Sequence, residues 1–554
     1  MKDYNILDTI NIVSINDAQI IQTTIYRHLQ RIDKDTITAI DKINVVLGDH
    51  DYYSSNSSIG LKLLIIQTAI NEMGFKNNQI QILTTNSNIE KEIDLLISNN
   101  AYDTNSRFNI SKMDGEFQQI GEEILQNNYQ YSSKIPSKVK LDQLTERELH
   151  LLTENTTFCM YPWIHMNASP NGEAMPCCLW DHNVKMGSVK THTIKELWNS
   201  DQWKILRNNM LNGIESPGCK KCYEEEKNGF FSNRQSANKH HGHHIKKITD
   251  TYNDGKLDQF QLTYWDIRFS NLCNLSCRSC GHIFSSSWYQ DQAKLSGPDW
   301  ATKNKPLFWA GRHETDILEQ LYEHIDHVEQ IYFAGGEPLM MDEHYAILEE
   351  LERKKKFNVR LVYNTNFTKT KLKNRSVFDY WKKFDSVAVG ASLDAMGPRA
   401  EYIRKGTKWA EIEENRRLMM EICPNVDFYI SPTLSILNAW HLPDFHRDWV
   451  DKGLLNPQDL NINLLTDPSY LRVDIAPQHY KEKLIRKYKD HLDWLKPLDK
   501  FNRATQGFES AINFIQSENH SDLIDKFWIK TNQLDKIRNE NILEVLPELN
   551  ELTK

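Results

Sequence analysis

From about residue 260 the chain repeats one pattern: a short, nearly continuous apolar run that ends in polar residues, then a longer stretch with helical apolar spacing. The runs are "LTYWDIRF" (262–269), "EQIYFAGG" (329–336), "VRLVYNTN" (359–366), "SVAVGASLD" (386–394), "VDFYISPT" (426–433) and "NINLL" (461–465). Apolar runs of this length without strict alternation are the pattern of strands buried on both faces, and intervening helices predict that those strands lie parallel. Six such units predict an α/β sheet, doubly wound or rolled into a partial barrel. The polar residues gather at the C-terminal ends of the runs, the edge where parallel α/β proteins bind their ligands.

Three flanking regions read differently. Residues 1 to about 110 predict a small α/β domain, with strands at "INVVLGD" (43–49) and "IQILTTN" (80–86) and a helix at 58–74 that ends in glycine. No glycine-rich nucleotide fingerprint follows either strand, and "GDHDYY" (48–53) reads as a solvated loop. Residues 193–213 carry apolar positions at Ile194, Leu197, Trp198, Trp203, Ile205, Leu206 and Met210, which predicts one or two short amphipathic helices. The run "KHHGHH" (239–244) reads as a polar connector, with metal ligation the lesser reading, and 471–554 as a helical extension. The expected domains are 1–150 (α/β with a helical linker), 151–255, 256–470 and 471–554.

Composition narrows the class. The 554 residues are 40% hydrophobic and 25% charged, with a net charge of −9, which argues against an extended nucleic-acid surface. No apolar stretch is long enough for a membrane span, and the first residues lack a signal-peptide core, so a cytoplasmic protein is expected. Eight of nine cysteines fall between Cys159 and Cys280. Clustering of that kind in a long chain favours metal ligation over a disulfide scaffold.

In "FSNLCNLSCRSCGHIF" (269–284), Cys273, Cys277 and Cys280 are spaced C-x3-C-x2-C with no fourth cysteine nearby. On a loop after the first strand, followed by "AGGEP" (334–338) after the second, this resembles the radical S-adenosylmethionine (SAM) superfamily. The resemblance implies a partial (β/α)6 TIM-like barrel and a [4Fe–4S] cluster on the three cysteines, with its fourth iron open to SAM. It also implies a SAM site built from Gly335, Gly336, Glu337 and Pro338, with Glu337 on the SAM amino group. Asn364, Asn366, Ser392, Asp394 and Ser431 match the superfamily's strand-end polar contacts, and Arg404 fits the SAM carboxylate as a bidentate partner. Where the superfamily usually has an aromatic residue before the third cysteine, this chain has Ser279; Phe284, Trp288 and Tyr289 are the substitutes at hand. A structural zinc loop is the bland alternative.

A second set precedes the first. Cys159 and Cys177 flank the hairpin-turn pair Asn171–Gly172, which is expected to bring them together on adjacent strands, and Cys219–Cys222 form a C-x2-C pair. This pattern resembles the twitch domain, the shortened SPASM auxiliary-cluster domain, here ahead of the barrel instead of after it. It implies a second [4Fe–4S] cluster on Cys159, Cys177, Cys219 and Cys222; zinc would accept the same four thiolates. Cys178 reads as a spare thiol facing away, and Cys423 as core.

The expected activity is reductive cleavage of SAM to a 5'-deoxyadenosyl radical that takes hydrogen from a substrate. The substrate expected is a peptide or protein, with the auxiliary cluster relaying an electron. Oxidation or epimerisation of a small sugar-like or amino-alcohol metabolite is the alternative; RNA modification and a non-catalytic scaffold rank lower. A flavodoxin or ferredoxin is the expected reductant.

Overall fold

The computed structural model describes residues 138–139, 143–227, 232–499 and 502–553, with the backbone of four strands upstream. The chain divides into two compact units, Met1–Ser133 and Lys134–Lys554. In the first, strands β1 (Thr9–Val13), β2 (Lys42–Leu47), β3 (Ile80–Thr84) and β4 (Asn109–Lys112) pair in that order, all parallel. The apolar runs at 43–49 and 80–86 fall on β2 and β3. The helix at 58–74 and the loop at 48–53 lie outside the described residues.

The second unit is organised by one sheet of seven strands. These are β5 (His165–Ala168), β6 (Ala174–Met175), β7 (Tyr264–Ile267), β8 (Gln330–Phe333), β9 (Arg360–Thr365), β10 (Val387–Ala391) and β11 (Asp427–Ile430). Across the sheet the order is β11-β10-β9-β8-β7-β5-β6, parallel throughout except for the last pair. This is a mostly parallel α/β sheet. β7 to β11 are neighbours in chain order because each is followed by helical chain that returns the backbone to the same edge. β10 is buried along its whole length, as a strand covered on both faces must be. The helix Asp342–Arg353 shows how a covering element forms: Tyr345, Ile347, Leu348 and Leu351 face inward while its other side stays polar.

Two features depart from the sequence pattern. The run at 461–465 makes only a two-residue parallel pairing, Asn463–Leu464 with Thr433–Leu434, and one bridge from Leu460 to Ile430. Between those contacts lies Pro432, which has no amide to donate, so the edge of β11 cannot carry a continuous ladder. The second departure is β5. This strand from the cysteine-rich segment pairs with β7 and extends the main sheet.

The segment 193–213 forms helices Ile194–Trp198 and Asp201–Leu211. Thr193 opens the first with a capping box closed by Glu196, which satisfies two otherwise orphaned amides. Beyond residue 471 the chain is helical, with its longer helices at Gln478–Leu495, Arg503–Ser517 and Ile524–Arg538. Among the described residues no helix is long and apolar enough to cross a membrane.

Candidate functional site: two cysteine sets and a strand-end cavity

The chain leaves β7 into the loop that carries Cys273, Cys277 and Cys280. Ser276–Cys277 pair antiparallel with Arg404–Lys405, which places Arg404 directly across from Cys277. The indole of Trp288 donates to the Cys277 carbonyl at 2.8 Å, and the hydroxyls of Ser286 and Ser287 bond the Cys273 backbone carbonyl at 3.2 and 2.7 Å. The loop is therefore held by its own backbone, leaving the three sulfurs to face a cavity of about 1050 Å³. Burial pushes the Cys273 and Cys280 thiols up to about 12 and raises that of Cys277 as well. Two N–H groups nevertheless point at sulfur: Asn366 Nδ2 lies 3.8 Å from Cys273 Sγ and Arg404 Nη1 3.7 Å from Cys277 Sγ. Three convergent thiols with donors aimed at sulfur fit a cluster that keeps one iron open, because the iron charge favours thiolates and such bonds tune its potential.

The cavity lies at the C-terminal ends of β7 to β10. Gly335, Gly336, Asn364, Asn366, Ser392 and Arg404 all line it. Gly336 has no alternative there: a Cβ would sit 2.2 Å from the Leu272 carbonyl oxygen. Four of the residues expected at the site stand behind this wall. Glu337 is 1% exposed, and its carboxylate accepts from Thr365 Oγ1 (2.7 Å), Asn366 N (2.7 Å) and Leu339 N (3.1 Å). Burial raises its pKa to about 7 against those three bonds. Pro338 opens the buried 3-10 turn Pro338–Met340. Asp394 accepts from Arg404 Nε (2.8 Å) and Thr433 N (2.8 Å), and Ser431 Oγ accepts from Asn463 Nδ2 (3.0 Å). Of the aromatic substitutes near Ser279, Phe284 lines the cavity; Tyr289 instead bonds the Ala301 carbonyl at 2.9 Å.

The upstream cysteines also converge. Cys159, Cys219 and Cys222 bear on one another electrostatically, as do Cys177, Cys159 and Cys222, and burial pushes all four thiols up, that of Cys219 to about 12. Gly172 turns the β5–β6 hairpin at a φ of +90°, which strongly favours glycine. Neither Cys159 nor Cys177 is on a strand, contrary to the expectation from the turn. Pro162 starts the 3-10 turn Tyr161–Trp163 between Cys159 and β5, and β6 ends at Met175. Four thiols in one buried neighbourhood are a donor set for a fully ligated cluster. Cys178 is exposed in the turn after β6, and Cys423 is buried at the end of the helix Trp409–Ile422.

Several residues that hold these sites carry no motif. Arg234 and Asn238, one turn apart on the helix Asn233–His241, both donate to the Phe158 carbonyl, at 2.8 and 3.0 Å, and so fix the approach to Cys159. Their i, i+4 spacing was a faint signal. Arg278, between two cluster cysteines, is buried against Asp535 and Glu540 far along the chain.

Residues 159–223 match the SPASM iron-sulfur cluster-binding domain, and residues 267–434 match the radical SAM superfamily. No curated protein matches the chain. Among solved structures it is similar to native anSMEcpe with bound AdoMet and Kp18Cys peptide, at 20% identity and a TM-score of 0.29, over 41% of this chain and 57% of that one. It is also similar to Streptococcus suis SuiB bound to S-adenosylmethionine, at 14% identity and a TM-score of 0.26, over 53% and 62%. The chain thus spans less than two thirds of either structure, and TM-scores this low add nothing to the argument. The two family matches, with SPASM N-terminal to radical SAM, agree with both cysteine sets: the chain carries a radical SAM domain and a SPASM iron-sulfur cluster-binding domain, which support [4Fe–4S] clusters and S-adenosylmethionine as its cofactors.

Proposed function

We propose that residues 256–470 form a partial (β/α)6 barrel in which Cys273, Cys277 and Cys280 carry the cluster that binds SAM. In this reading, residues 151–255 are a twitch-like domain with a second [4Fe–4S] on Cys159, Cys177, Cys219 and Cys222. Residues 1–150 and 471–554 are accessory. The observation that carries the reading is a cavity of about 1050 Å³ at the C-terminal strand edge, with all three loop sulfurs and Arg404 in its wall. That volume lies at the top of the roughly 300–1,000 Å³ range of ligand sites, which suits a cofactor together with a second molecule.

When bound, the cluster and SAM supply a 5'-deoxyadenosyl radical able to take hydrogen from a substrate. The chain's own residues hold and orient. Gly335 and Gly336 let the backbone approach the amino-acid end of SAM, and Arg404, fixed by Asp394, meets its carboxylate. Asn364, Asn366 and Ser392 offer polar contacts from the strand ends. Glu337, Pro338 and Ser431 position the segments that carry those groups, and the negative field of the buried Glu337 favours the SAM ammonium side of the site. The substrate in this reading is a peptide or protein. Cys159, Cys177, Cys219 and Cys222 would hold a cluster able to take up the electron that a substrate gives up after losing hydrogen, and a flavodoxin or ferredoxin would supply the separate electron that SAM cleavage consumes.

Anaerobic reconstitution followed by reduction with SAM should yield 5'-deoxyadenosine. Cys273→Ala/Cys277→Ala/Cys280→Ala should abolish it while leaving about four irons per chain at the upstream site. Cleavage by that variant at the wild-type rate would overturn the assignment.

A further inference from the structure

A third group of ligand-type side chains lies away from both cysteine sets. His243 and His244 are consecutive in the 3-10 turn Gly242–Ile248, on the connector from the cysteine-rich segment to β7. Glu329 immediately precedes β8, at the N-terminal edge of the sheet and so at the end opposite the cavity. Its backbone is pinned on both sides: its amide donates to Thr263 O and its carbonyl accepts from Arg360 N, each at 2.8 Å.

The carboxylate is divided between the two imidazoles. Oε2 is 2.7 Å from His243 Nε2 and Oε1 is 3.1 Å from His244 Nε2. The ligand atoms of the three residues all lie within 4.8 Å of one another, and the two rings are side by side with centroids 4.1 Å apart. The imidazoles are 19% and 14% exposed. Hydrogen bonding explains only half of this arrangement. His243 Nε2 is aligned on Oε2, but His244 Nε2 is buried and makes no aligned hydrogen bond despite its distance. Folded proteins rarely keep such an atom unsatisfied. Lys247 does not fill the gap, because its ammonium donates to Gln261 Oε1 at 3.2 Å.

A cation between the two nitrogens and the carboxylate would satisfy the orphaned atom. Zinc bonds of about 2.0–2.2 Å in tetrahedral geometry set neighbouring nitrogen and oxygen ligands about 3.4 Å apart, so the 2.7 Å pair needs to open by about 0.7 Å and the 3.1 Å pair by about 0.3 Å.

We propose that His243, His244 and Glu329 form a divalent-metal site, zinc by its donor set of two imidazoles and one carboxylate, that clamps the 242–248 connector to the start of β8. The fourth position is left to water. Because the site is at the sheet edge remote from the cavity, its role is structural: it fixes the chain between the cysteine-rich segment and the first strand of the radical SAM region.

The test uses the full-length, cluster-loaded protein and zinc alone as the probe. After exposure to a small excess of Zn²⁺ and desalting, wild type should retain one zinc per chain with its iron content unchanged. X-ray absorption at the zinc edge should show only nitrogen and oxygen neighbours at about 2.0–2.1 Å. His243→Gln/His244→Gln keeps polar groups beside Glu329 but should lose that zinc and not the iron; Glu329→Gln is a second variant with the same expectation. Wild type should also gain thermal stability on adding zinc, and the variants should not. No retained zinc in wild type, zinc with sulfur neighbours at about 2.3 Å, or zinc kept by a folded variant would each overturn the site. The absorption measurement decides on wild type alone should both variants fail to fold.

Discussion

Arg278 lies between two cluster cysteines, and its guanidinium is 3% exposed. Nη2 is bonded to Asp535 and lies 2.6 Å from Glu540 Oε2, Nε donates to the Tyr402 carbonyl at 3.2 Å, and the group sits 3.6 Å from the centre of the Tyr402 ring. Arg278→Met keeps an apolar stem and removes the fork. Removing one partner of a buried ion pair costs about 3–5 kcal/mol, since the other charge is left uncompensated. Part of that compensation survives here. Tyr402 Oη (2.9 Å) and Ile542 N (2.8 Å) still donate to Asp535, and Lys405 Nζ (2.7 Å) still meets Glu540. We therefore expect the lower end, about 3 kcal/mol, expressed as local opening of the C-terminal helix Ile524–Arg538. At 1.4 kcal/mol per tenfold, amide exchange in that helix should accelerate by about 100-fold. Hydrogen-exchange mass spectrometry on cluster-loaded wild type and variant would measure it, with Gln478–Leu495 as the internal comparison. Adding Asp535→Asn to the variant should recover part of the protection, because a neutral amide tolerates the loss of the cation. Exchange within about threefold of wild type, or no recovery in the double variant, would refute a charge-based clamp on the cysteine loop.

Three further outcomes follow from the geometry. Gly336→Ala places a Cβ 2.2 Å from the Leu272 carbonyl, a backbone atom that cannot swing away; such overpacking costs about 1–3 kcal/mol and should lower iron retention at Cys273 in a reconstitution assay. Asn366→Ala removes an N–H directed at Cys273 Sγ from 3.8 Å; losing a donor to sulfur should make the cluster potential more negative in an EPR-monitored titration. Asp474 is fully buried, and despite the opposing effect of burial its bonds from Arg472 and His520 lower its pKa. A depressed carboxylate stabilises above its unfolded pKa and loses that contribution as pH falls through its folded one. Asp474→Asn should thus lower the urea midpoint at pH 7, with the gap to wild type closing below about pH 4.

What the sequence made legible was local. The apolar runs at 262–269 through 426–433 located β7 to β11 within a few residues at each end: β7 and β10 are buried along their whole length, and β8, β9 and β11 bury every second residue, so apolar positions recur in all five. Cys273, Cys277, Cys280, Gly336 and Arg404 line one cavity, and it was the family resemblance that grouped them in the sequence. The missing parts depend on partners far away in the chain. β5, "HMNA", is too short and too polar to announce itself, and it exists as a strand because β7 pairs with it about a hundred residues later. Arg278 and Asp535 are 257 positions apart, and nothing in either neighbourhood names the other. The resemblance singled out Glu337, but not the three donors that turn its carboxylate inward, since two of them come from β9 and the residue after it.

The β5–β7 pairing also bears on how the two cysteine sets relate. Asn167 stands opposite Asp266 in the ladder, and its side-chain Nδ2 donates to the Asp266 backbone carbonyl at 3.2 Å. Cys159 precedes β5, and β6 runs antiparallel back toward that end before Cys177, whereas Cys273 follows the opposite, C-terminal end of β7. Cys159 and Cys273 thus leave the paired strands at opposite ends of one ladder. A domain joined by a flexible linker would sample a range of separations. A ladder of backbone hydrogen bonds admits one, because slipping the register by a single residue would displace side chains that are buried on both faces of β5 and β7. In the proposed reading, in which an electron passes between the two cysteine sets, this pairing would hold the chain on either side of them at one spacing.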